Sequence, residues 1–285
     1  MKTILVLTDF TRRSEHAAEF ALEIAFKIRG EILLYNAFYA PQVVSPESGV
    51  YPYYEDYSAI EQECLHEMEK LVRKLSKKFT TQHGVLPPPV RLLNEPGKLG
   101  DNVHEITMRK DIWMIVMGNK SKEGPVSRFI FGSNSNAVID NASCPVLLIP
   151  EKAVLKPVKK IVFATDLQRT EHVAMLILEK LAELWESQIT VLHVCDKTLS
   201  VEEKASHYSY YKKILGGIKY PHTNYLDVRG DHITDTIADY AAKEKIDLIA
   251  IVHKKRSFIG HLLHKSISKK MMNYHNAPLL VLQST

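Results

Sequence analysis

The chain has 285 residues, 45% hydrophobic and 25% charged, with a formal net charge of +4. That length suits two domains of ordinary size, each burying its own core, and the composition argues against both a disordered chain and a membrane protein. The mild charge does not by itself point to nucleic acid, and three cysteines (Cys64, Cys144, Cys195) without disulfide or metal spacing suit a reducing cytoplasm.

The first apolar run, Ile4-Leu5-Val6-Leu7, is broken by Asp9 and is too short for a signal peptide or a membrane span. It predicts a buried strand over Thr3–Leu7. Ser14–Ile28 follows, with Ala18, Ala21, Leu22 and Ala25 at helical spacing. Ile32–Leu34 reads as a strand, Glu55–Phe79 as a long charged helix, Val90–Leu93 as a strand and Asn102–Arg109 as a helix. Ile112–Met117 is a fully apolar strand, Ser133–Asp140 a helix, and Val146–Ile149 a closing strand.

The same order returns in Lys160–Ala164, His172–Glu186, Ile189–Val194, Val201–Leu215, Tyr225–Val228, Ile233–Lys243, Leu248–Val252, Lys265–Tyr274 and Leu279–Leu282. Continuous apolar strands alternating with amphipathic helices predict an α/β fold: two tandem Rossmann-like domains, each an open parallel five-stranded sheet with helices on both faces. Right-handed crossovers place the ligand crevice of such a domain at the carboxyl ends of its strands. The expected boundaries are 1–150 and 158–285, joined by a linker at 151–157.

The repeat is marked by Thr8-Asp9 and Thr165-Asp166, each ending the first strand of its half. Asp9 to Asp166 is an offset of 157, whereas Gly97 to Gly230, Ser133 to Ser266 and Pro145 to Pro278 are offset by 133. The first half therefore carries 24 extra residues before Gly97. Much of this excess is expected in the Tyr- and Pro-rich loop 38–58, which can stack on a bound base or close as a lid, or instead pack between the halves or mediate oligomer contacts. The last strands, Pro145–Ile149 and Pro278–Leu282, are expected to pair the two halves, covering an otherwise exposed edge.

These residues carry a resemblance. Thr8-Asp9-Phe10-Thr11, the Gly97 turn, the strand Asp111–Gly118, the segment from Gly118 to Gly132-Ser133, and Cys144–Pro150 together resemble the universal stress protein family in its tandem form, over nearly the whole chain. The resemblance implies the fold of the adenine nucleotide alpha hydrolase-like class and a loop pattern Gly-x2-Gly-x9-Gly-Ser/Thr. Such a loop brings backbone N–H groups and a helix N-terminus to phosphate. It implies ATP or a related adenine nucleotide, with or without magnesium, held by Thr8, Asp9 and Thr11 at the nucleoside end. Ala37 then lies against adenine, and Gly118, Gly132, Ser133 and Asn134 around phosphate. Ser121 stands where the second glycine belongs, and ten residues rather than nine precede Gly132.

In the second half Thr165 and Asp166 persist and Val194 takes the adenine position. His253 and Arg256 stand for the first two loop positions, and Lys265 precedes Ser266 in place of glycine. Bulky side chains there fill space that a phosphate needs, so this second site is expected to be degenerate. The basic stretch His253–Lys270 reads either as a solvated face or as a dock for an anionic partner. Asp9 and Asp166 can alternatively satisfy turn amides, and Ser133 can be a plain N-cap. His253, His261 and His264 lack a Cys or carboxylate at matching spacing, so no metal site is expected. No catalytic constellation emerges: no lysine follows the glycine loop, and no paired carboxylates or Ser-His-Asp arrangement is expected.

The expected function is that of a cytoplasmic stress-response regulator binding an adenine nucleotide mainly in its first half. It engages neither nucleic acid nor membrane, and its fused halves form a pseudo-dimer that can associate again as a homodimer. Two alternatives stand beside it: an adaptor whose basic second half docks a protein or anionic metabolite, and a weak ATPase or autophosphorylating protein.

Overall fold

The computed structural model describes residues 1–38, 57–109, 111–119, 133–167, 172–195, 199–214, 220–253 and 277–284. The elements of the first half are β1 (Thr3–Leu7), α1 (Arg12–Lys27), β2 (Glu31–Phe38), α2 (Tyr57–His83), β3 (Val90–Pro96), α3 (Leu99–Arg109), β4 (Ile112–Asn119), α4 (Ser133–Asn141) and β5 (Val146–Pro150). Those of the second are β6 (Lys160–Thr165), α5 (His172–Trp185), β7 (Gln188–Cys195), α6 (Val201–Ile214), β8 (Thr223–Arg229), α7 (Ile233–Glu244), β9 (Leu248–His253) and β10 (Leu279–Gln283).

Ten strands form one open sheet in the order β3-β2-β1-β4-β5-β10-β9-β6-β7-β8. Every neighbouring pair is parallel except β5 with β10, whose antiparallel register sets Leu147 opposite Leu280 and Leu148 opposite Leu279. The closing strands thus do join the halves. The edge each half would leave open is paired, and its apolar side chains pass out of water.

Strand alternation sends one set of side chains to each face. Ile4, Val6, Phe163, Leu280 and Leu282 share one core with α1, α2 and α5. Leu5, Leu7, Val162, Leu279 and Val281 share the other with α3, α4 and α7. Both cores run without a break across the junction of β5 and β10. Burial of each such Leu, Ile or Phe stabilises by roughly 1.5–3 kcal/mol.

Local chemistry starts and stops the helices. Thr11 caps α1, its hydroxyl accepting from the Ser14 N–H at 3.4 Å. The same helix ends on Arg29 at φ 51°, where Gly30 N–H reaches Ala25 O at 2.8 Å. α5 repeats the device with Glu186 at φ 53° and Ser187 N–H donating to Ala182 O at 2.9 Å.

β2 extends four residues beyond the expected strand end at Leu34, because Tyr35, Asn36, Ala37 and Phe38 continue to pair with Leu93, Asn94, Glu95 and Pro96 of β3. Residues 39–89 separate β2 from β3, whereas residues 196–222 separate β7 from β8, so the excess of 24 falls in this interval. Part of it lengthens a helix: α2 has 27 residues and α6 has 14. Lys74 and His83 of α2 meet Glu15 and Glu23 of α1 at 2.6 and 2.7 Å, and Lys78 pairs with Glu19 between them. Most of the Tyr/Pro-rich loop lies outside the described residues, as do the expected helix 265–274 and the basic loop before it.

Candidate functional site

β1 delivers Thr8 and Asp9 to the carboxyl end of the sheet, where the chain must turn at once into α1. Phe10 makes that turn at φ 59°, its N–H donating to the Thr8 hydroxyl at 3.1 Å. Thr8 is buried and tied down, its N–H bonded to Tyr35 O at 2.9 Å and its carbonyl accepting from Asn36 Nδ2 at 2.8 Å. Asp9 projects beyond it. One carboxylate oxygen accepts from the Thr11 N–H at 3.2 Å and the Thr11 hydroxyl at 2.5 Å. Burial pushes the Asp9 carboxyl up, but hydrogen bonds from Thr11 and Ser14 and the charge of Arg13 outweigh it and hold the group below the ordinary aspartate range. A carboxylate fixed in its ionised form is an acceptor for hydroxyl or amino groups of a ligand.

Beside this turn lies a cleft of about 430 Å³, within the range of ligand sites. Thr8, Asp9, Thr11, Ala37, Gly118, Ser133 and Asn134 all line it. Seven of the eight residues expected at the first site therefore surround one cavity; the eighth, Gly132, lies outside the described residues. Ser133 and Asn134 begin α4, whose free N–H groups and positive dipole end face this cleft.

Sequence reasoning missed several of the lining residues, among them Arg13, Tyr35, Asn36 and Leu99. Asn36 is the most informative. It is 6% exposed, and its Oδ1 is buried with no hydrogen-bond partner among the described residues. Such an atom costs about 1–3 kcal/mol unless something donates to it. Its signal in the sequence was a lone amide at the end of an apolar strand. Across the cleft, Gly97 turns at φ 120° and Asn102 secures it, donating to Pro96 O at 3.1 Å and to the Tyr35 hydroxyl at 2.7 Å. Burial, partly offset by that bond, pushes the Tyr35 hydroxyl up to about 12.

Gly118 has a reason of its own. A Cβ there would lie 2.7 Å from the carbonyl oxygen of Arg13 and 2.8 Å from its carbon. The first turn of α1 packs directly on this strand end, so close approach of protein backbone already demands glycine.

The second half repeats the turn without the setting. Leu167 adopts φ 59° and its N–H donates to the Thr165 hydroxyl at 2.8 Å, as Phe10 does to Thr8. Gly230 N–H bonds to Cys195 O at 2.8 Å, as Gly97 does to Phe38 O at 3.0 Å. Sheet register corrects one equivalence. Gly118 stands opposite Ile149 and Val252 opposite Leu282, so Val252 occupies the glycine position and His253 that of Asn119. The 133-residue offset would point to Ile251 and the loop motif to His253, each one residue from the position that sheet pairing gives. His253 is buried, and its Nε2 lies 3.2 Å from Asp140 Oδ1 at the end of α4 in the other half. Val194 packs against the core shared by α3, α4 and α7. Arg256, Lys265 and Ser266 lie outside the described residues.

A repeated α/β unit with a strand-end Thr-Asp turn and a cleft below a helix N-terminus defines a tandem Rossmann-like protein. The universal stress protein family model matches residues 1–150 and again 157–283, and the chain belongs to that family. Universal stress protein MJ0531 of Methanocaldococcus jannaschii is 29% identical over 150 residues, covering 52% of this chain and 81% of its own length. A universal stress protein from Archaeoglobus fulgidus superposes with a TM-score of 0.71 at 12% identity, covering 99% of this chain and 98% of that one. A functionally unknown protein from Pseudomonas aeruginosa superposes at 0.58 and 14% identity, over 100% and 93%. At these identities the superpositions show the fold. Among the described residues no helix is long and apolar enough to cross a membrane.

Proposed function

We propose that the first half binds an adenine nucleotide, ATP or a close relative, and that binding serves regulation in a cytoplasmic stress response rather than turnover. The observation that carries this reading is Asn36 Oδ1, buried without a partner among the described residues, in a cleft that also holds the ionised Asp9 and the N-terminus of α4. Asp9 accepts from ribose hydroxyls or a base amino group, Asn36 supplies an acceptor for a second donor, and Ala37 leaves room for a flat ring. Ser133 and Asn134 offer N–H and side-chain donors to phosphate, with magnesium as the companion ion of a polyphosphate.

The second half is proposed not to bind nucleotide in this manner. Val252 puts a side chain where Gly118 has none, and His193 stands at the β7 position equivalent to Asn36. Among the described residues of the cleft none is placed to activate water, and we read the protein as a binder.

Calorimetric titration of the full chain with ATP, AMP and GTP tests the reading. Micromolar or tighter binding of adenine nucleotide is expected. Asp9→Ala removes a charge-assisted hydrogen bond, about 1.5–3 kcal/mol, and weakens binding roughly 10- to 150-fold. A folded wild-type chain that releases no heat with any of the three nucleotides and shows no thermal shift overturns it.

A further inference from the structure

The second half departs from the first at the neighbouring strands β7 and β8. In the first half the equivalent positions, Asn36 and Phe38 of β2 and Asn94 of β3, carry two amides and a phenyl ring. Here they carry His193, Cys195 and Asp227. His193 and Cys195 alternate with Val194 along β7, so both point to one face, and parallel register sets Asp227 directly beside His193. α6 closes the same face. Its start is fixed by Ser200, whose N–H donates to Glu203 Oε2 at 2.8 Å while its hydroxyl accepts from the Glu203 N–H at 3.2 Å. That register brings His207 down onto the strand pair and stacks Tyr211 on Tyr225 at 4.7 Å.

One atom of each of the four side chains lies within 4.8 Å of the others. Asp227 Oδ1 is 2.9 Å from His193 Nδ1, 3.2 Å from His207 Nδ1 and 3.6 Å from Cys195 Sγ, and that sulfur is 3.4 Å from His193 Nδ1. A tetrahedral zinc ion with ordinary bond lengths spaces its ligand atoms about 3.3–3.8 Å apart. Two of these separations already fall in that range, and the others reach it by small side-chain adjustments. The Tyr225 hydroxyl also donates to Asp227 Oδ1, at 2.7 Å. One carboxylate oxygen thus has four polar partners crowded around it, more than its lone pairs serve.

We propose that His193, Cys195, His207 and Asp227 form a structural zinc site. Two imidazole nitrogens, a thiolate and a carboxylate are a donor set that selects zinc over magnesium or calcium. The thiol proton of Cys195 leaves to solvent as the Zn–S bond forms, and both imidazoles bind neutral. Tyr225 keeps its hydrogen bond to Asp227 and orients that carboxylate. The ion clamps α6 to the sheet, and α6 needs a clamp: Tyr211 alone of its described side chains is buried.

The test uses the full chain stripped with a chelator, dialysed, and titrated with Co2+ and then Zn2+. One equivalent of Co2+ is expected, giving the visible bands of a four-coordinate site and a near-ultraviolet thiolate charge-transfer band, all displaced by one equivalent of Zn2+. Cys195→Ser abolishes the thiolate band. His207→Ala, a change on a helix face that does not threaten the core, weakens Zn2+ binding by a factor on the order of ten or more, and Tyr225→Phe by about 10- to 100-fold. Zinc also slows amide exchange across residues 201–214. A folded wild-type chain that takes up no Co2+, or that binds it without the thiolate band, overturns the proposal. So does binding that His207→Ala leaves unchanged, since the ion is then held elsewhere.

Discussion

Replacing Gly118 by alanine sets two effects of opposite sign against each other. Where space is open, Gly→Ala stabilises by about 0.4–1 kcal/mol by restricting the unfolded chain. Here the new methyl would sit 2.7 Å from Arg13 O and 2.8 Å from Arg13 C, with Arg13 Cβ at 3.1 Å. Real Cβ atoms do not approach within 3.0 Å, and the nearest neighbours are backbone, so no flexible side chain can swing aside. The first turn of α1 must retreat by a few tenths of an ångström, at a cost of about 1–3 kcal/mol. The middle of each range leaves a net loss of about 1.3 kcal/mol, and at about 2–4 °C per kcal/mol a fall of roughly 3–5 °C is expected by scanning calorimetry. Because Thr11 and Arg13 lie in that turn and Gly118 lines the same cleft, affinity for the proposed nucleotide should fall as well. An alanine variant as stable as wild type, or more so, would refute the close-packing explanation.

Leu280→Ala at the junction removes a fully buried side chain shared by both halves and should cost about 2–5 kcal/mol. Continuous cores also predict one cooperative unfolding transition; two separated calorimetric peaks would contradict that continuity. Asp9 has a depressed carboxyl, so its stabilisation is present above the ordinary value of about 3.9 and is lost as pH falls through its lower folded value. The stability gap between wild type and Asp9→Asn should therefore be widest at pH 5–7 and close on acidification; a gap independent of pH counts against it. Burial, only partly offset by a backbone hydrogen bond, pushes the Cys144 thiol up to about 12, leaving on the order of one thiolate in ten thousand at pH 8. Maleimide should label it only as fast as the protein opens, and fast labelling of the native chain would be inconsistent with that burial.

The periodic parts of the fold were readable because periodicity reports burial. Apolar runs such as Ile4–Leu7 and Ile112–Met117 became central strands, and Ser14–Ile28 became α1 over nearly that span. β2 was cut short because Asn36 ends its apolar run, although backbone pairing with β3 carries the strand on to Phe38. The candidate cleft of the first half was visible through Thr8-Asp9 and Ser133, whose residue types suit a binding site. Asn36 and Arg13 were not, since only the fold turns a strand-end amide and an ordinary helix residue toward the same cleft. The His193–Asp227 cluster shows the limit most sharply. Its members are spread from 193 to 227, and no local spacing links them; parallel register and the start of α6 bring them together. His253, for which no metal site was expected, is buried against the other half beside Asp140.

The most direct test counts ligands. Native mass spectrometry of the full chain, with ATP added to purified wild type, Asp9→Ala and Asp166→Ala, reports nucleotides bound per chain. One nucleotide on wild type, lost in Asp9→Ala and kept in Asp166→Ala, is the expected result. Two nucleotides per chain, or one that survives Asp9→Ala and disappears with Asp166→Ala, would contradict the assignment of the site to the first half.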